Sequence, residues 1–393
     1  MVGISKLYCG TIETSDVLRY GRESSALPSH LLQFSADKRP VVILNITHKC
    51  NLRCVHCYAG ADEHAGDGEL TAAQWRRVID DLASFGCPVV LFSGGEPLLQ
   101  PDIIDLARHA VQSGMRAVIS SNGTLISPGM AEKLRSIGLS YIGISLDGNR
   151  AVHDDFRGST GAFDRALKGI RNARDAGIKT GVRFTMTGRN VRDIPVIMDI
   201  MEHEHIPRIC FYHLVYTGRG GNLFQDALSH ARTRETIDLI IGRTADMHRR
   251  GFPVEVLTVD NHCDGPYLYL KLLGENPARA EEVMRLLAFN GGNSSGVGVA
   301  AINWNGEVYP DQFWRNRVLG NVLERRFGDI WTDPGNEFLM KLKVKKDHVT
   351  GRCSGCRFLD VCGGNFRARA EAATGDPWAP DPACYFTEEE ISR

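Results

Sequence analysis

Between Pro40 and Arg219 the chain alternates short β-branched runs with stretches of helical spacing, and this limits its possible folds more than any other feature. The runs are VVILNI, PVVLFS, RAVISS, YIGISL, TGVRFTM and RICFYHL, each long enough for a buried strand. Helix punctuation lies between them. Thr71 with Gln74 makes a capping box, Trp75, Val78, Ile79 and Leu82 fall on one face, and Gly86 ends the helix. Repeated strand-helix units imply an α/β fold with a parallel sheet. Six of them curve toward a partial (β/α)6 barrel, short of the eight that close a complete one. Chemistry then belongs at the carboxyl ends of the strands.

Four regions follow from the pattern: an N-terminal extension over 1–39, the partial barrel over 40–219, a bridging region over 220–345 and a small Cys-rich C-terminal domain over 346–393. Lys and Arg number 46 against 47 Asp and Glu, so no broad basic field exists to hold nucleic acid or an anionic membrane. MVGISKLYCG lacks a basic region followed by a long apolar run, and no stretch approaches membrane-spanning length. The expected location is cytoplasmic. There thiols stay reduced, so the 11 cysteines argue for metal ligation over disulfides. Cys9, Cys87, Cys210 and Cys263 are scattered and read as buried small hydrophobes.

HKCNLRCVHCYAG, directly after the first strand, holds Cys50, Cys54 and Cys57. Thiolates suit zinc and iron-sulfur clusters equally, but structural zinc wants four ligands. Three thiols without a nearby fourth leave one coordination position open. The segment CNLRCVHC resembles the signature of the radical S-adenosylmethionine (SAM) enzymes, with His56 where an aromatic residue is common. GGEP after the second strand, Gly94, Gly95, Glu96 and Pro97, resembles the family segment that receives the methionine amino group of SAM. SSNGT offers Ser121 and Asn122 near the ribose, and SLDG with HDDFRG offers Ser145 and Arg157 as further polar contacts. The resemblance implies a SAM-binding 4Fe-4S cluster, a radical hydrogen abstraction, and a small electron donor protein such as ferredoxin or flavodoxin.

Near the C-terminus Cys353, Cys356, Cys362 and Cys384 form a closed set of four. Spacing alone leaves zinc and iron-sulfur open. Behind a radical SAM barrel the segment resembles the SPASM domain, which implies auxiliary 4Fe-4S clusters. Asp311 and Phe366 stand where that pattern has cysteines, and NGGNSSG also lacks a thiol, so one auxiliary cluster is expected instead of two. Asp311 is then either a catalytic acid near the substrate or an ordinary turn residue.

The N-terminal segment, FYHLVYTGRG, TVDNHCDGPYLYL and VYPDQFW resemble the family branch that trims tetrapyrrole side chains in the sirohaem-dependent route to haem and in haem d1 synthesis. The resemblance implies an iron tetrapyrrole substrate and removal of two acetates from 12,18-didecarboxysirohaem, giving Fe-coproporphyrin III. Such a polycarboxylate needs local guanidinium partners, for which Arg19, Arg22, Arg219, Arg315 and Arg317 are candidates. His213 or His262 is a candidate axial ligand to the iron, or a structural histidine. Alternatives are a haem d1 pathway enzyme, a peptide-modifying SPASM enzyme and a non-catalytic metal protein.

Overall fold

The computed structural model describes residues 1–11 and 39–392. Its strands are β1 (Val2–Gly3), β2 (Val41–Asn45), β3 (Val89–Ser93), β4 (Arg116–Ser121), β5 (Tyr141–Ser145), β6 (Thr180–Met186), β7 (Arg208–His213), β8 (Glu255–Val259), β9 (Val299–Ile302), β10 (Glu307–Tyr309) and β11 (Gly320–Asn321). They form one open sheet in the order β1-β8-β7-β6-β5-β4-β3-β2-β9-β10-β11. The six runs read from the sequence are β2 to β7, all parallel to their neighbours. Their carboxyl ends are nearly level, with Asn45 beside Ser93 and Ser145 beside Arg183. The loops that follow therefore crowd over one end of the sheet.

The helices form where the spacing predicts them. Over Ala72–Phe85, the Thr71 hydroxyl accepts from the Gln74 amide while the Gln74 side chain accepts from the Thr71 amide, and Gly86 closes the helix with φ 86°. Trp75, Val78, Ile79 and Leu82 are buried along one face. Each such side chain stabilises the fold by about 1.5–3 kcal/mol before entropy is charged against it.

The sheet does not stop at residue 219. β8 is a seventh parallel strand, paired with β7 and buried throughout. Only five residues long, it follows the long helix His230–Arg249, and no strong alternation marks it. The expected bridging region thus supplies strands at both sides of the barrel, β8 at one and β9 to β11 at the other. Val2 of the N-terminal extension pairs with Thr258 of β8. The Cys-rich tail is not free-standing either: Phe358, Val361, Tyr385 and Phe386 join the apolar core that holds Leu268 and Leu272. Among the described residues no helix is long and apolar enough to cross a membrane.

Candidate active site

The loop after β2 is pinned by backbone bonds to its neighbours. The Arg53 and Val55 amides donate to Arg157 and Phe156 carbonyls at 3.2 and 3.0 Å, and the Arg219 amide donates to the Cys57 carbonyl at 2.9 Å. Arg219 then reaches back, its Nε to the Cys54 carbonyl at 2.8 Å and its Nη1 to that of Ala61 at 2.9 Å. Gly218 is obligatory here, since a Cβ would collide with the Cys57 and Tyr58 carbonyls and φ is +56°. His56 stacks on Phe156 at 4.7 Å, an aromatic role that suits its place in the signature.

Cys50, Cys54 and Cys57 all face a cleft of ≈ 1050 Å³, part of it open to solvent. Gly94, Gly95, Glu96, Ser121, Asn122, Ser145 and Arg157 line the same cleft. Pro97 does not; it opens the turn Pro97–Leu99 behind the wall. The GGEP backbone lies against the cysteine loop, with the Gly95 amide donating to the Thr47 carbonyl at 2.7 Å and that of Glu96 to Lys49 at 2.8 Å. A Cβ on Gly95 would fall on the Lys49 carbonyl.

Glu96 ties two strand ends together. Its carboxylate accepts from the Ser121 hydroxyl at 2.8 Å, the Asn122 amide at 2.8 Å and the Leu98 amide at 3.1 Å. Burial pushes its carboxyl up to about 7, against the pull of those donors. Arg157 Nη1 donates to the Cys54 sulfur at 3.4 Å, and its Nη2 pairs with buried Asp147. Burial alone would raise the Asp147 carboxyl, but the guanidinium holds it below the usual range. Burial drives the Cys50 thiol up to about 12, so a metal must displace its proton on binding.

The opposite wall was not legible as a site. It comprises Arg183, Tyr212, Leu214, Val215, Phe313 and Asp260, while Tyr58 lines the cleft from the cysteine loop, its hydroxyl donating to Asn45 at 2.8 Å. Arg183 stacks over Tyr212 at 4.6 Å, and among the described residues no carboxylate is hydrogen-bonded or ion-paired to it. A lone charge inside the run TGVRFTM was the signal for it. Asp260 follows β8 with φ 65°, unusual for a residue with a side chain, and its Oδ2 has no hydrogen-bond partner. Burial lifts its carboxyl to about 7, although the amino terminus, Arg369 and Arg183 lower it.

Asp311 lies outside the cleft lining. Ser295 donates to its Oδ2 at 2.5 Å, and the Phe313 and Trp314 amides to its Oδ1 at 2.8 and 3.0 Å. These bonds shape a turn, and Asp311 is itself buried next to Gln312 and Phe313 of the cleft lining. Phe366 packs edge-on to Phe313 at 5.6 Å in an apolar cluster with Trp314 and Leu342. Arg219 is committed to the cysteine loop, Arg317 pairs with Glu371, and Arg315 stacks over Trp304, so none of these lines the cleft. Arg19 and Arg22 lie outside the described residues. His213 lines the cleft, whereas His262 is buried apart from it.

Cys353 and Cys362 are buried and Cys356 and Cys384 half-buried, the four thiols near enough to act on one another through charge. Cys263, expected to be an inert core residue, is with them. Among the described residues no three such side chains converge tightly enough for a single metal ion. The donor chemistry fits a larger multi-iron centre, and the thiol trio would hold a cluster with one iron left without a thiolate.

The match to known families agrees with this layout. A model of the radical SAM superfamily matches residues 44–201, and one of the SPASM iron-sulfur cluster-binding domain matches 295–357. The chain is 59% identical over 394 residues to Fe-coproporphyrin III synthase of Methanosarcina barkeri, covering 100% of this chain and 99% of that one. It is 41% identical over 354 residues to pre-heme d1 synthase of Dinoroseobacter shibae, covering 90% and 87%. The solved structure of anSMEcpe with bound AdoMet shares the fold, with a TM-score of 0.69 at 18% identity over 90% of this chain and 96% of that one. Open parallel sheet, thiol trio at its carboxyl end and clustered C-terminal thiols have one explanation: this chain belongs to the radical SAM superfamily, as an enzyme with a SPASM iron-sulfur domain.

Proposed function

We propose that the chain removes two acetate side chains from 12,18-didecarboxysirohaem to give Fe-coproporphyrin III. The observation that carries the reading is the cleft itself, whose lining holds the cysteine trio, apolar and aromatic side chains, and Arg183, to which no carboxylate among the described residues is hydrogen-bonded or ion-paired. A polycarboxylate macrocycle needs such a pairing of one fixed cation with flat apolar surface. The end-to-end similarity to Fe-coproporphyrin III synthase supports this choice of substrate.

Cys50, Cys54 and Cys57 would hold one 4Fe-4S cluster, with Gly94, Gly95, Ser121, Asn122 and Ser145 around the SAM bound to it. When bound, the two supply a carbon-centred radical that takes a hydrogen atom from the substrate. Arg157 steadies the Cys54 sulfur, and Asp147 fixes Arg157. Glu96 is a buttress, holding Ser121 and the Asn122 amide in place. Arg183 takes a substrate carboxylate, and Tyr58, Tyr212, Leu214, Val215 and Phe313 exclude water so that the radical meets only its target. Cys353, Cys356, Cys362 and Cys384 would hold a single auxiliary 4Fe-4S cluster, since Phe366 and Asp311 are committed to packing and a turn. A ferredoxin or flavodoxin in the cytoplasm would deliver the reducing electron.

The similarity to pre-heme d1 synthase favours a second reading, an altered outcome on the same ring. Mass spectrometry of the product of anaerobic turnover with SAM, strong reductant and didecarboxysirohaem separates them. Loss of two acetates, with methyl groups left behind, supports the first reading; loss of other side chains sinks it.

A further inference from the structure

A fifth thiol reaches the auxiliary centre from outside the tail. Cys263, just before the helix Asp264–Glu275, is fully buried, and its neighbours are tied to the segment of Cys384: Asn261 Nδ2 donates to the Ala383 carbonyl at 3.0 Å, and the Tyr385 hydroxyl donates to Asp264 at 2.7 Å. Cys263 belongs to the apolar core, but polar side chains also reach it. The Cys263 amide donates to Asn261 Oδ1 at 3.2 Å, and Asn365 Nδ2 donates to that same oxygen at 2.9 Å and to the Cys263 sulfur at 3.4 Å. Asn365 sits three residues after Cys362 in the left-handed region, with φ 60°, so the loop that carries Cys362 is bent toward Cys263. Cys263 is thus packed between the segments that carry Cys362 and Cys384, a fifth sulfur beside a set of four for a cubane cluster with four corners.

We propose that Cys263 is a reserve ligand of the auxiliary cluster, able to replace Cys384. The inference rests on the reading of the tail as an iron-sulfur site. Cys384 is the exchangeable partner because it lies in irregular chain and is half-buried, whereas Cys353 and Cys362 sit in buried helical turns. In the exchange the iron–sulfur bond to Cys384 breaks and one to Cys263 forms. The Cys263 thiol gives up its proton as it binds iron, the departing Cys384 thiolate takes one up, and no electron moves. Such an exchange alters the cluster's surroundings without losing it.

The test is iron and sulfide content with the EPR spectrum of the reduced protein, on full-length anaerobically reconstituted wild type, Cys263→Ala, Cys384→Ala and the double variant. Cys353→Ala/Cys356→Ala sets the baseline for a folded protein without the auxiliary cluster. Wild type and both single variants are expected to hold about eight irons, with the auxiliary signal altered in Cys384→Ala, and the double variant about four. A drop to about four in Cys384→Ala alone, with circular dichroism like that of the baseline protein, overturns the proposal. So does retention of eight in the double variant. If wild type itself holds only about four, the reading of the tail as a cluster site fails first, and the proposal with it.

Discussion

His213 and Tyr385 meet on one carboxylate. Asp264 Oδ2 lies 2.9 Å from His213 Nε2, and its Oδ1 accepts from the Tyr385 hydroxyl at 2.7 Å. All three are buried. His213 lines the cleft, Tyr385 adjoins Cys384, and Asp264 follows Cys263, so this carboxylate links the substrate wall to the auxiliary thiols. Asp264→Ala strands a phenol and an imidazole inside the protein and is expected to destabilise it by about 3 kcal/mol, against about 1 kcal/mol for Tyr385→Phe, which removes one bond. Melting temperatures of the anaerobic proteins check the ranking.

Gly95→Ala places a methyl group on the Lys49 carbonyl and forces the GGEP turn away from the cysteine loop. Formation of 5'-deoxyadenosine is expected to fall at least ~100-fold, since misplacement of about 1 Å at a reacting centre has that effect. Gly129→Ala, where an added Cβ meets nothing within 4 Å, is the control and should leave the rate unchanged.

Asp260 makes stability depend on pH. Its carboxyl titrates at about 7 in the fold and near the ordinary value of 3.8 once unfolded. Below that value both states are protonated and nothing differs. As pH rises the unfolded chain ionises first, so stability falls through this window and the deficit is complete above about pH 7. Asn tolerates the left-handed backbone that Asp260 adopts. Asp260→Asn should therefore match wild type near pH 4 and exceed it at pH 8, read from denaturant midpoints.

Arg369 and Asp381 form a fully buried two-bond pair at 2.9 and 2.8 Å, and Asp381 also accepts from the Phe366 and Ala383 amides. Removing Arg369 leaves a buried charge without its partner, an effect of about 3–5 kcal/mol. Arg369→Ala should lower the melting temperature markedly. Arg150→Ala, which breaks the exposed pair with Asp164, should not move it.

The barrel strands and the thiol trio were readable because each leaves a local mark: β-branched runs bounded by caps, and cysteines with three and then two residues between them. The far wall of the cleft leaves none. Arg183 and Tyr212 lie on two strands and Asp260 just after a third, strands that meet only through parallel pairing, and β8 lies outside the regular strand-helix repeat, behind the long helix His230–Arg249. Cys263 looked like a core residue because its thiol neighbours are ninety-nine and more residues away in sequence. Asp311 had the opposite failing. A cysteine position in the family pattern drew attention to a side chain whose bonds shape a turn beside the cleft lining.

The most direct test of the account is an iron count with 5'-deoxyadenosine formation, in wild type and in Cys50→Ala/Cys54→Ala/Cys57→Ala after identical anaerobic reconstitution. About eight irons falling to about four, with SAM cleavage abolished, is the expected result. SAM cleavage that persists in the triple variant would contradict the placement of the catalytic cluster on this loop.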